Sequence, residues 1–311
     1  MTTKVFLSTH PEPVDPADAK ISVFDRGFLY GDSVYETMRT AGGWPLEFER
    51  HLRRLRRSGA GIGLTIPFSD EELAGVVART HAASGNDESY VRMVVTRGSG
   101  PVALDPRDSE DPLLVVLVKP LELPKAEAYE HGISAVVVGI TKNAGTSLDP
   151  TIKSGNYLSN ILALRQAYER GGQDAIMCSP EGAVSEGATS NVFMVRGGQL
   201  ETPHMRTGLL PGITRLAVFE LAEAMGVSVA ETTLAPDHLR AADEVFLTSS
   251  VRGIMPVTQL DGTVVGDGHA GPLTRRLHEA YQAYVVQAAV QAPSDRVRMQ
   301  TDPGPEPGDQ P

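Results

Sequence analysis

The chain of 311 residues has a single cysteine, few lysines and no long apolar run. With only Cys178 available, disulfides within the chain are excluded and a cytoplasmic location is expected. We expect Cys178 to be a small buried residue at the end of a strand. No stretch approaches the roughly 20 apolar residues of a membrane span, and the N-terminal segment lacks the apolar core of a signal peptide. The eight histidines form no metal-spaced pair, so no metal site is expected.

Acidic residues outnumber basic ones, and the net charge is −11. A nucleic acid would repel such a chain, so a polyanionic partner is not expected. The composition, with 41% hydrophobic and 22% charged residues, is typical of an enzyme that works in aqueous solution. We therefore expect small-molecule substrates and neither a nucleic-acid nor a membrane partner.

The length suits two domains, and the mixture of strand and helix patterns predicts an α+β fold with two lobes. Prolines stiffen the segment 120–125, because proline fits neither a helix interior nor an inner strand. We predict a small N-terminal domain over 1–120, a linker over 121–131 and a large domain over 132–290. The segment 291–311 is rich in Pro, Asp and Gly and is predicted to be a disordered tail.

Apolar periodicity predicts the main helices and strands. Ser69 followed by Glu72 has the pattern of a capping box, which marks the start of a helix. Runs of β-branched residues indicate the strands. The helices are predicted over 48–62, 70–83, 158–170 and 213–225, and the strands over 33–40, 44–48, 90–96, 113–118, 133–140, 175–178, 191–195 and 245–248.

Lysine is scarce, since only six of the 28 basic residues counted as Lys or Arg are lysines. One of them, Lys153, lies two positions before Gly155 and four before Tyr157. An amine can form a Schiff base with a bound aldehyde, which arginine cannot do because it does not lose its proton. A loop lysine by itself is most often a solvated residue, so Lys153 needs support from elsewhere in the chain.

A phosphate-bearing aldehyde such as pyridoxal phosphate also needs a phosphate-binding group and an acid. Gly212, Ile213 and Thr214 stand at the start of a predicted helix, where free N–H groups and the helix dipole attract anions. Ser250, near the end of a strand, offers a hydroxyl. Glu186 precedes an apolar strand and is a candidate partner for the pyridine nitrogen. Each of these, taken alone, also fits an ordinary helix start, strand end or turn.

Several separated motifs follow one another in an order that resembles a known family. They are Asp25-Arg26-Gly27, Gly31-Asp32-Ser33-Val34-Tyr35-Glu36, Arg54-Leu55 with Ser58, Lys153-Ser154-Gly155-Asn156-Tyr157, Glu186-Gly187 with Asn191-Val192-Phe193, and Pro211-Gly212-Ile213-Thr214-Arg215. Together they resemble the class IV, or fold-type IV, pyridoxal-phosphate enzymes: branched-chain aminotransferases, D-amino-acid aminotransferases and aminodeoxychorismate lyases. The resemblance runs from about residue 21 to about residue 277. It implies a smaller α/β N-terminal domain, a larger C-terminal domain and a cofactor at the domain interface.

The resemblance also implies which residues bind the cofactor, pyridoxal 5'-phosphate. Lys153 would form the Schiff base and act as acid and base on the substrate. Glu186 would pair with the pyridine nitrogen, Tyr157 would hydrogen-bond the phenolic oxygen, and Leu210 would pack on the ring. The phosphate would be bound by Arg54, the Ile213 and Thr214 amides and the Ser250 hydroxyl.

The substrate carboxylate needs a cation, and strand alternation places Tyr90 and Arg92 on one face. This pair resembles the pattern that branched-chain aminotransferases use near the substrate carboxylate. The resemblance adds Tyr30, which would reach the partner's site in a homodimer. The further candidate substrate residues are Tyr35, Thr37, Arg39 and Val251.

Departures from the family pattern leave the substrate open. D-amino-acid enzymes usually carry an arginine and a histidine where Val102 and Leu104 stand. The lyases usually have a lysine at the position of Arg92, whereas Thr37 is lyase-like. We expect an aminotransferase that acts on a branched-chain or other apolar L-amino acid and 2-oxoglutarate. The alternatives are a D-amino-acid aminotransferase, an aminodeoxychorismate lyase and a relative that binds the cofactor without turnover.

Overall fold

The computed structural model describes residues 1–109, 111–143, 145 and 147–301, with side chains as far as residue 292. The chain divides into two compact units. The first unit comprises Met1–Glu122, Lys153–Gly155 and the chain from Tyr284 onward, and the second comprises Leu123–Ile152 and Asn156–Ala283. Lys153 therefore belongs to the first unit by its contacts, although its neighbours in sequence belong to the second.

The first unit contains an antiparallel sheet of five strands, counting the described residues. Buried residues alternate with half-buried ones along one of its central strands, 89–96, as the period of two in a strand requires. The strands are β1 (Lys4–Leu7), β2 (Ser33–Ala41), β3 (Trp44–Pro45), β4 (Ser89–Thr96) and β5 (Leu113–Pro120), in the spatial order β1-β5-β4-β2-β3.

The helices of the first unit cover this sheet or lead into it. They are α1 (Arg26–Tyr30), α2 (Phe48–Gly61) and α3 (Asp70–Ser84). Helix α2 packs against β2, and α3 packs against β1 and β5. The capping box predicted at the start of α3 is confirmed, because Ser69 Oγ accepts from Glu72 N and the Glu72 carboxylate accepts from Ser69 N.

The second unit contains a mixed sheet of nine strands within the described part of the chain. They are β6 (Ile133–Thr141), β7 (Asp174–Cys178), β8 (Val184–Gly187), β9 (Asn191–Arg196), β10 (Gln199–Pro203), β11 (Val229–Thr232), β12 (Glu244–Ser249), β13 (Gly253–Leu260) and β14 (Thr263–Val264). The order is β11-β10-β9-β12-β13-β6-β7-β8, with β14 beside β13. Because β8 also pairs with β9, at Glu186 and Asn191, the strands from β9 round to β8 form a closed ring.

The helices that follow the first unit in sequence are α4 (Ala126–His131), α5 (Leu158–Glu169), α6 (Ile213–Ala224), α7 (Pro236–Arg240) and α8 (Pro272–Thr301). The ring encloses an apolar core to which all of its strands contribute, with Ile176 of β7 among its members. A second core lies outside the ring, where Met177 of β7 packs with Ala163 of α5. Two consecutive residues of β7 thus face different cores, as strand alternation predicts.

A buried carboxylate holds the start of α8. Glu244 Oε1 accepts from Leu273 N at 3.0 Å, and Glu244 Oε2 accepts from Thr274 N at 2.7 Å and from the Thr274 hydroxyl at 2.6 Å. The first N–H groups of a helix have no partner within the helix, and a negative charge there also favours the helix dipole. Glu244 of β12 therefore ties α8 to the sheet.

The predicted helices and strands are present, and most of their ends lie within two residues of the predicted positions. The exception is β3, which ends at Pro45 instead of residue 48, because α2 begins at Phe48. Elements without a clear period in the sequence were not predicted: β1, β8, β10, β11, β13, β14, α1, α4, α7 and α8. Among the described residues, no helix is both long and apolar enough to cross a membrane.

The predicted domain ends need three corrections. Helix α8 continues to Thr301, so residues 291–301 are not the predicted disordered tail, because residues of high helix propensity such as Arg296 and Gln300 outweigh the scattered polar ones. The remaining part of that tail, 302–311, lies outside the described residues. Part of the predicted linker is helix α4, since the prolines end before residue 125. The segment from Tyr284 onward groups with the first unit, not with the large domain.

The cap of α8 generates a stability prediction. Glu244→Ala should lower the free energy of unfolding by about 2–3 kcal/mol, because two buried N–H groups and a hydroxyl lose a charged acceptor. Urea denaturation followed by circular dichroism measures this loss. The exposed Glu279 of the same helix is the matched control, and Glu279→Ala should change stability by less than about 0.5 kcal/mol. Equal effects of the two substitutions would contradict the proposed cap.

Candidate active site

The backbone around Lys153 adds to the sheet of the first unit at β2. Gly155 N donates to Ser33 O at 2.9 Å, and Tyr35 N donates to Lys153 O at 3.0 Å. The Lys153 N–H donates to the Ser58 hydroxyl of α2 at 3.1 Å. The main chain of the lysine is thus held on both sides, which gives its side chain a fixed starting point.

The side chain of Lys153 shares an aromatic ring with a second cation. The Lys153 Nζ lies 4.7 Å from the centre of the Tyr35 ring, and the guanidinium carbon of Arg92 lies 3.9 Å from the same centre. Both distances allow cation–π attraction. The ring therefore keeps an amine and a guanidinium group close to each other within the first unit.

Several predicted substrate residues lie on one face of this sheet. Tyr35, Thr37 and Arg39 alternate along β2, and the register places Thr37 opposite Arg92 and Arg39 opposite Tyr90. Two strands therefore bring together five residues that the sequence presented as two separate groups.

Arg39 has an unusual environment for a cation. Its side chain is nine-tenths buried, and its Nε has no hydrogen-bond partner among the described residues. A buried donor without a partner costs free energy, because it loses its hydrogen bonds to water. An anionic group that accepts from Arg39 would remove this cost.

The opposite face of β2 carries a buried ion pair. Arg54 donates from Nε to Glu36 Oε1 and from Nη2 to Glu36 Oε2, at 2.7 Å in each case. His51 Nδ1 lies 2.7 Å from Glu36 Oε2. All three side chains are almost completely buried. The paired hydrogen bonds fix the plane of the Arg54 guanidinium group, as bidentate pairs do.

The charges of this network follow from its pKa values. Burial alone would raise the pKa of Glu36, but the charge and hydrogen bonds of Arg54, followed by those of His51, outweigh burial and lower the pKa to about 2. Burial lowers the pKa of His51 and outweighs the opposing effect of Glu36. His51 is therefore neutral at pH 7, and Arg54 is the cation that balances Glu36.

In the second unit, Glu186 lies at a β-bulge. Met177 of β7 pairs with Glu186, but the next residue, Cys178, pairs with Val184, so Ser185 is an extra residue in β8. Val184 belongs to the inner core, and regular alternation would place Glu186, two positions later, on the same side. The bulge turns Glu186 to the outer side, where Met177 lies.

Three donors of the described residues bind the Glu186 carboxylate. Lys142 Nζ donates to Oε1 at 2.6 Å. Leu210 N donates to Oε2 at 2.9 Å, and Asn191 Nδ2 donates to Oε2 at 3.3 Å. Asn191 Nδ2 also donates to the Leu210 carbonyl oxygen at 2.9 Å. The carboxylate is thus fixed between an ammonium group and the loop that leads to α6.

Helix α6 begins without a side-chain cap from any described residue, since its N-cap is Gly212. The N–H groups of Ile213 and Thr214 therefore have no partner within the helix. A side chain at Gly212 would collide with the Asn191 amide oxygen. Glycine at this position lets Asn191 link the start of α6 to Glu186.

The remaining predicted site residues lie at the ends of elements. Tyr30 ends α1, where the Arg26 guanidinium carbon lies 5.1 Å from its ring centre. Tyr157 is the N-cap of α5. Ser250 and Val251 form the turn after β12, and in the described part of the second unit no hydrogen bond joins them to Glu186.

The sequence did not reveal the roles of five residues: Glu36, His51, Ser58, Lys142 and Asn191. Three of them, Glu36, Ser58 and Asn191, stood within the motifs that carry the family resemblance, which was a usable signal. His51 stands three positions before Arg54 on the same face of α2, which was a weaker one. Lys142 stood out only as one of six lysines, and the 44 positions that separate it from Glu186 hid the ion pair.

Comparisons with known proteins agree on one family. The family model described as Amino-transferase class IV matches residues 33–260. A protein of Methanocaldococcus jannaschii with a provisional branched-chain-amino-acid aminotransferase name is 37% identical over 269 residues, which cover 86% of this chain and 92% of that protein. The D-alanine aminotransferase of Bacillus licheniformis is 32% identical over 269 residues, which cover 86% and 93%.

The solved structures include a similar fold with a bound cofactor form. A branched-chain amino acid aminotransferase of the organism abbreviated T.th., solved with pyridoxamine 5'-phosphate, has a TM-score of 0.85 and 28% sequence identity. The similarity covers 92% of this chain and 95% of that one. The fold expected from the sequence, with two units of mixed strands and helices, is therefore confirmed.

The Glu36 network predicts a loss of stability in acid. The pKa of Glu36 is about 2 in the folded protein and ordinarily 4.5, so its contribution is fully present above pH 4.5 and is lost as the pH falls towards 2. The shift corresponds to a contribution on the order of 3 kcal/mol. Glu36→Gln should remove this contribution at pH 7 and flatten the loss between pH 4.5 and pH 2. Urea denaturation at a series of pH values measures both effects.

The exposed Glu12 provides the control for this experiment. Glu12→Gln should leave the free energy of unfolding and its pH dependence unchanged, because its carboxylate is exposed to solvent. A Glu36→Gln variant with the same acid dependence as the wild type would show that Glu36 is not the titrating group.

Proposed function

This chain belongs to the class IV aminotransferases, and we propose that it transfers the amino group of a branched-chain or other apolar L-amino acid to a 2-oxo acid such as 2-oxoglutarate. The observation that carries the proposal is the ring of Tyr35. It lies 4.7 Å from the Lys153 Nζ and 3.9 Å from the Arg92 guanidinium carbon. An amine that can carry a cofactor and a cation that can bind an amino-acid carboxylate are thus neighbours.

The cofactor of class IV aminotransferases is pyridoxal 5'-phosphate, and groups of this chain fit its polar parts. The uncapped start of α6, at Ile213 and Thr214, suits a phosphate group because its N–H groups and dipole attract anions. Glu186 suits the pyridine nitrogen, because its carboxylate is buried and fixed by hydrogen bonds. When bound, the cofactor accepts the electron pair that is left when the substrate α-proton is removed.

The residues of the chain would divide the remaining tasks. We assign Lys153 to carry the cofactor and, as a free amine, to move the proton of the substrate α-carbon. Glu186 would hold a proton on the ring nitrogen. Arg54, oriented by Glu36, would bind the phosphate together with α6. The further cofactor contacts that we propose are those of Tyr157, Leu210 and Ser250.

Two guanidinium groups on one sheet face suit the carboxylates of the two substrates. Arg92 is assigned to the α-carboxylate, which every amino acid has. Arg39, with its unpaired buried Nε in the described structure, is assigned to the second carboxylate of 2-oxoglutarate. The apolar side chain of the other substrate would then lie near Thr37 and Tyr90. Tyr30 and Val251 complete the proposed substrate residues.

A D-amino-acid aminotransferase is the second candidate, because a D-alanine aminotransferase is among the relatives. The loop where such enzymes usually place an arginine and a histidine carries the exposed apolar residues Val102 and Leu104. The nearby Arg107 is paired with Asp105 at 2.6 Å. The loop thus offers a carboxylate no free cation among its described residues, and we rank this function second. The lyase function ranks third and rests on Thr37 alone.

We propose that the enzyme is a homodimer that uses an apolar surface of the first unit, the α1 patch. The guanidinium group of Arg26 donates to the carbonyl oxygens of Ala103 and Leu104, which brings α1 and the following loop together. Large apolar side chains project there into solvent, and such a patch indicates an interaction surface. The members of the α1 patch are Val23, Phe24, Phe28, Val102 and Leu104. Tyr30 lies at the end of the same helix, where a second copy would bring it near the partner's site.

We also propose a cytoplasmic location. Cys178 is the one cysteine of the chain, and it is buried at the end of β7. Burial raises the pKa of its thiol, which keeps the thiol protonated and unreactive. A chain without structural disulfides has no need of an oxidising compartment.

The substrate assignment predicts a distinct half-reaction. L-leucine and L-glutamate should convert the cofactor of the purified holoenzyme to its aminated form, measured by visible absorbance, whereas D-alanine should do so at least about 100-fold more slowly. Conversion by D-alanine but not by L-leucine would establish the second candidate function instead.

The role of Lys153 has its own control in the same assay. Borohydride should attach the cofactor covalently to the wild type and to Lys20→Ala, which removes an exposed lysine, but not to Lys153→Ala. Mass spectrometry of the reduced proteins measures the attachment. Covalent attachment in Lys153→Ala would show that another residue carries the cofactor.

The α1 patch predicts the oligomeric state. The wild type should have the mass of a dimer in sedimentation experiments, and Phe28→Asp and Leu104→Asp should shift it to a monomer, because each buries a charge in the interface. Val264→Asp, at an exposed apolar residue of β14, should remain dimeric. A dimer that persists in both patch variants would place the interface elsewhere.

A further inference from the structure

Lys142 is a largely buried lysine to which the proposed mechanism gives no role. It directly follows β6, and its N–H donates to the Cys178 carbonyl oxygen of β7 at 2.9 Å. Its ammonium group lies 2.6 Å from Glu186 Oε1, on the other side of β7. The side chains are only 15% and 8% exposed, respectively. A buried ammonium group is expensive to maintain, so the ion pair is a built feature of the second unit.

The hydrogen bonds of Glu186 show where a further donor can bind. A carboxylate has about four lone-pair positions, two on each oxygen. Oε2 accepts from Leu210 N and Asn191 Nδ2, while Oε1 accepts from Lys142 alone within the described residues. An incoming N–H group would therefore bind Oε1, next to the ammonium group. Lys142 is also the only cation among the described residues that contacts this carboxylate.

We propose that Lys142 is a positioning residue for Glu186: its ammonium group keeps Glu186 charged and oriented, and thereby keeps a proton on the ring nitrogen of the cofactor. This inference rests on the proposed function, which assigns Glu186 to that nitrogen. It adds a group that does not touch the reacting atoms but sets the charge of one that touches the cofactor.

The distribution of charge gives the reason. A proton between a carboxylate and a pyridine nitrogen can stay on either group, and low polarity favours the neutral pair. A cation in direct contact with the carboxylate stabilises its negative charge more than it disfavours the ring cation, because the ring nitrogen lies farther away. With Lys142 present, the proton stays on the nitrogen. Without Lys142, the proton moves towards Glu186 and the ring loses part of its capacity to accept electrons.

Lys142 is distinct from Lys153 in what its amine can do. The Lys142 Nζ donates to a carboxylate at 2.6 Å and is held in its protonated form. A protonated amine has no electron pair for a covalent bond to an aldehyde. The structure thus separates the two lysines into a charge-setting group and a reactive group, and the two roles can be tested independently.

The test measures the protonation of the cofactor ring directly. Wild type, Lys142→Arg and Lys142→Met are prepared as holoenzymes with pyridoxal 5'-phosphate labelled with ¹⁵N at the ring nitrogen. The ¹⁵N chemical shift, followed against pH, should show a protonated ring in the wild type and in Lys142→Arg. In Lys142→Met, which keeps the length of the side chain but not its charge, the ring should lose its proton at a pH lower by about one unit or more.

Two further variants complete the design. Lys142→Gln should behave like Lys142→Met and decides the question if the latter does not fold. Lys125→Met removes an exposed lysine and should keep the wild-type shift. Wild-type ¹⁵N shifts at every pH in Lys142→Met or Lys142→Gln would overturn the role of Lys142.

Borohydride trapping separates this result from the proposed function. Lys142→Met should still be trapped covalently, because Lys153 is unchanged. Absence of trapping in the wild type would refute the proposed function itself. Trapping in all variants together with an unchanged ring shift would refute only the inference about Lys142.

Discussion

The negative charge of Glu186 is the constraint on which the second unit depends. Glu186 pairs with Asn191 where the sheet closes into a ring, so the point of closure and the buried carboxylate coincide. A charge at such a position must be matched by donors, and they come from three different segments of the chain. The end of β6, the start of β9 and the loop before α6 are therefore all fixed by one side chain. The uncapped helix start follows this loop within three residues, which is why a carboxylate and an anion-binding group occur together.

The first unit meets the same requirement with a different cation. Glu36 is bound by the planar guanidinium group of Arg54 through two parallel hydrogen bonds, whereas Glu186 is bound by the single-point ammonium group of Lys142. The guanidinium group is held in one plane and can still offer donors to a phosphate. The ammonium group occupies only one lone-pair position and leaves another on the same oxygen. In each unit the type of cation fits what the neighbouring group is proposed to bind.

The aminotransferase family explains why the reactive lysine is mounted on β2. The residues 153–155 continue the hydrogen bonding of that strand, so Lys153 is anchored to the same sheet that carries Tyr35, Arg39 and Arg92. The amine and the proposed carboxylate-binding groups therefore share one rigid support. A lysine on a mobile loop could not keep a constant distance to them, and constant distance is what a proton transfer at the substrate α-carbon requires.

The sequence by itself determined the helices with a clear apolar period, the capping box at Ser69, most strands and, through ordered motifs, the family with its candidate residues Lys153, Glu186 and Arg54. These features depend on local chemistry or on short spacings, which a single chain displays. It did not determine the helix beyond residue 290, the strand β8 or the bulge at Ser185, because these depend on pairing with distant segments. Only the tertiary structure decided that Glu186 faces outward, that Lys142 is its counter-charge and that Arg39 is buried with an unpaired donor among the described residues. The physical reason is that the cost of burying a charge depends on which groups the fold brings within hydrogen-bond distance, and sequence separation carries no record of that distance.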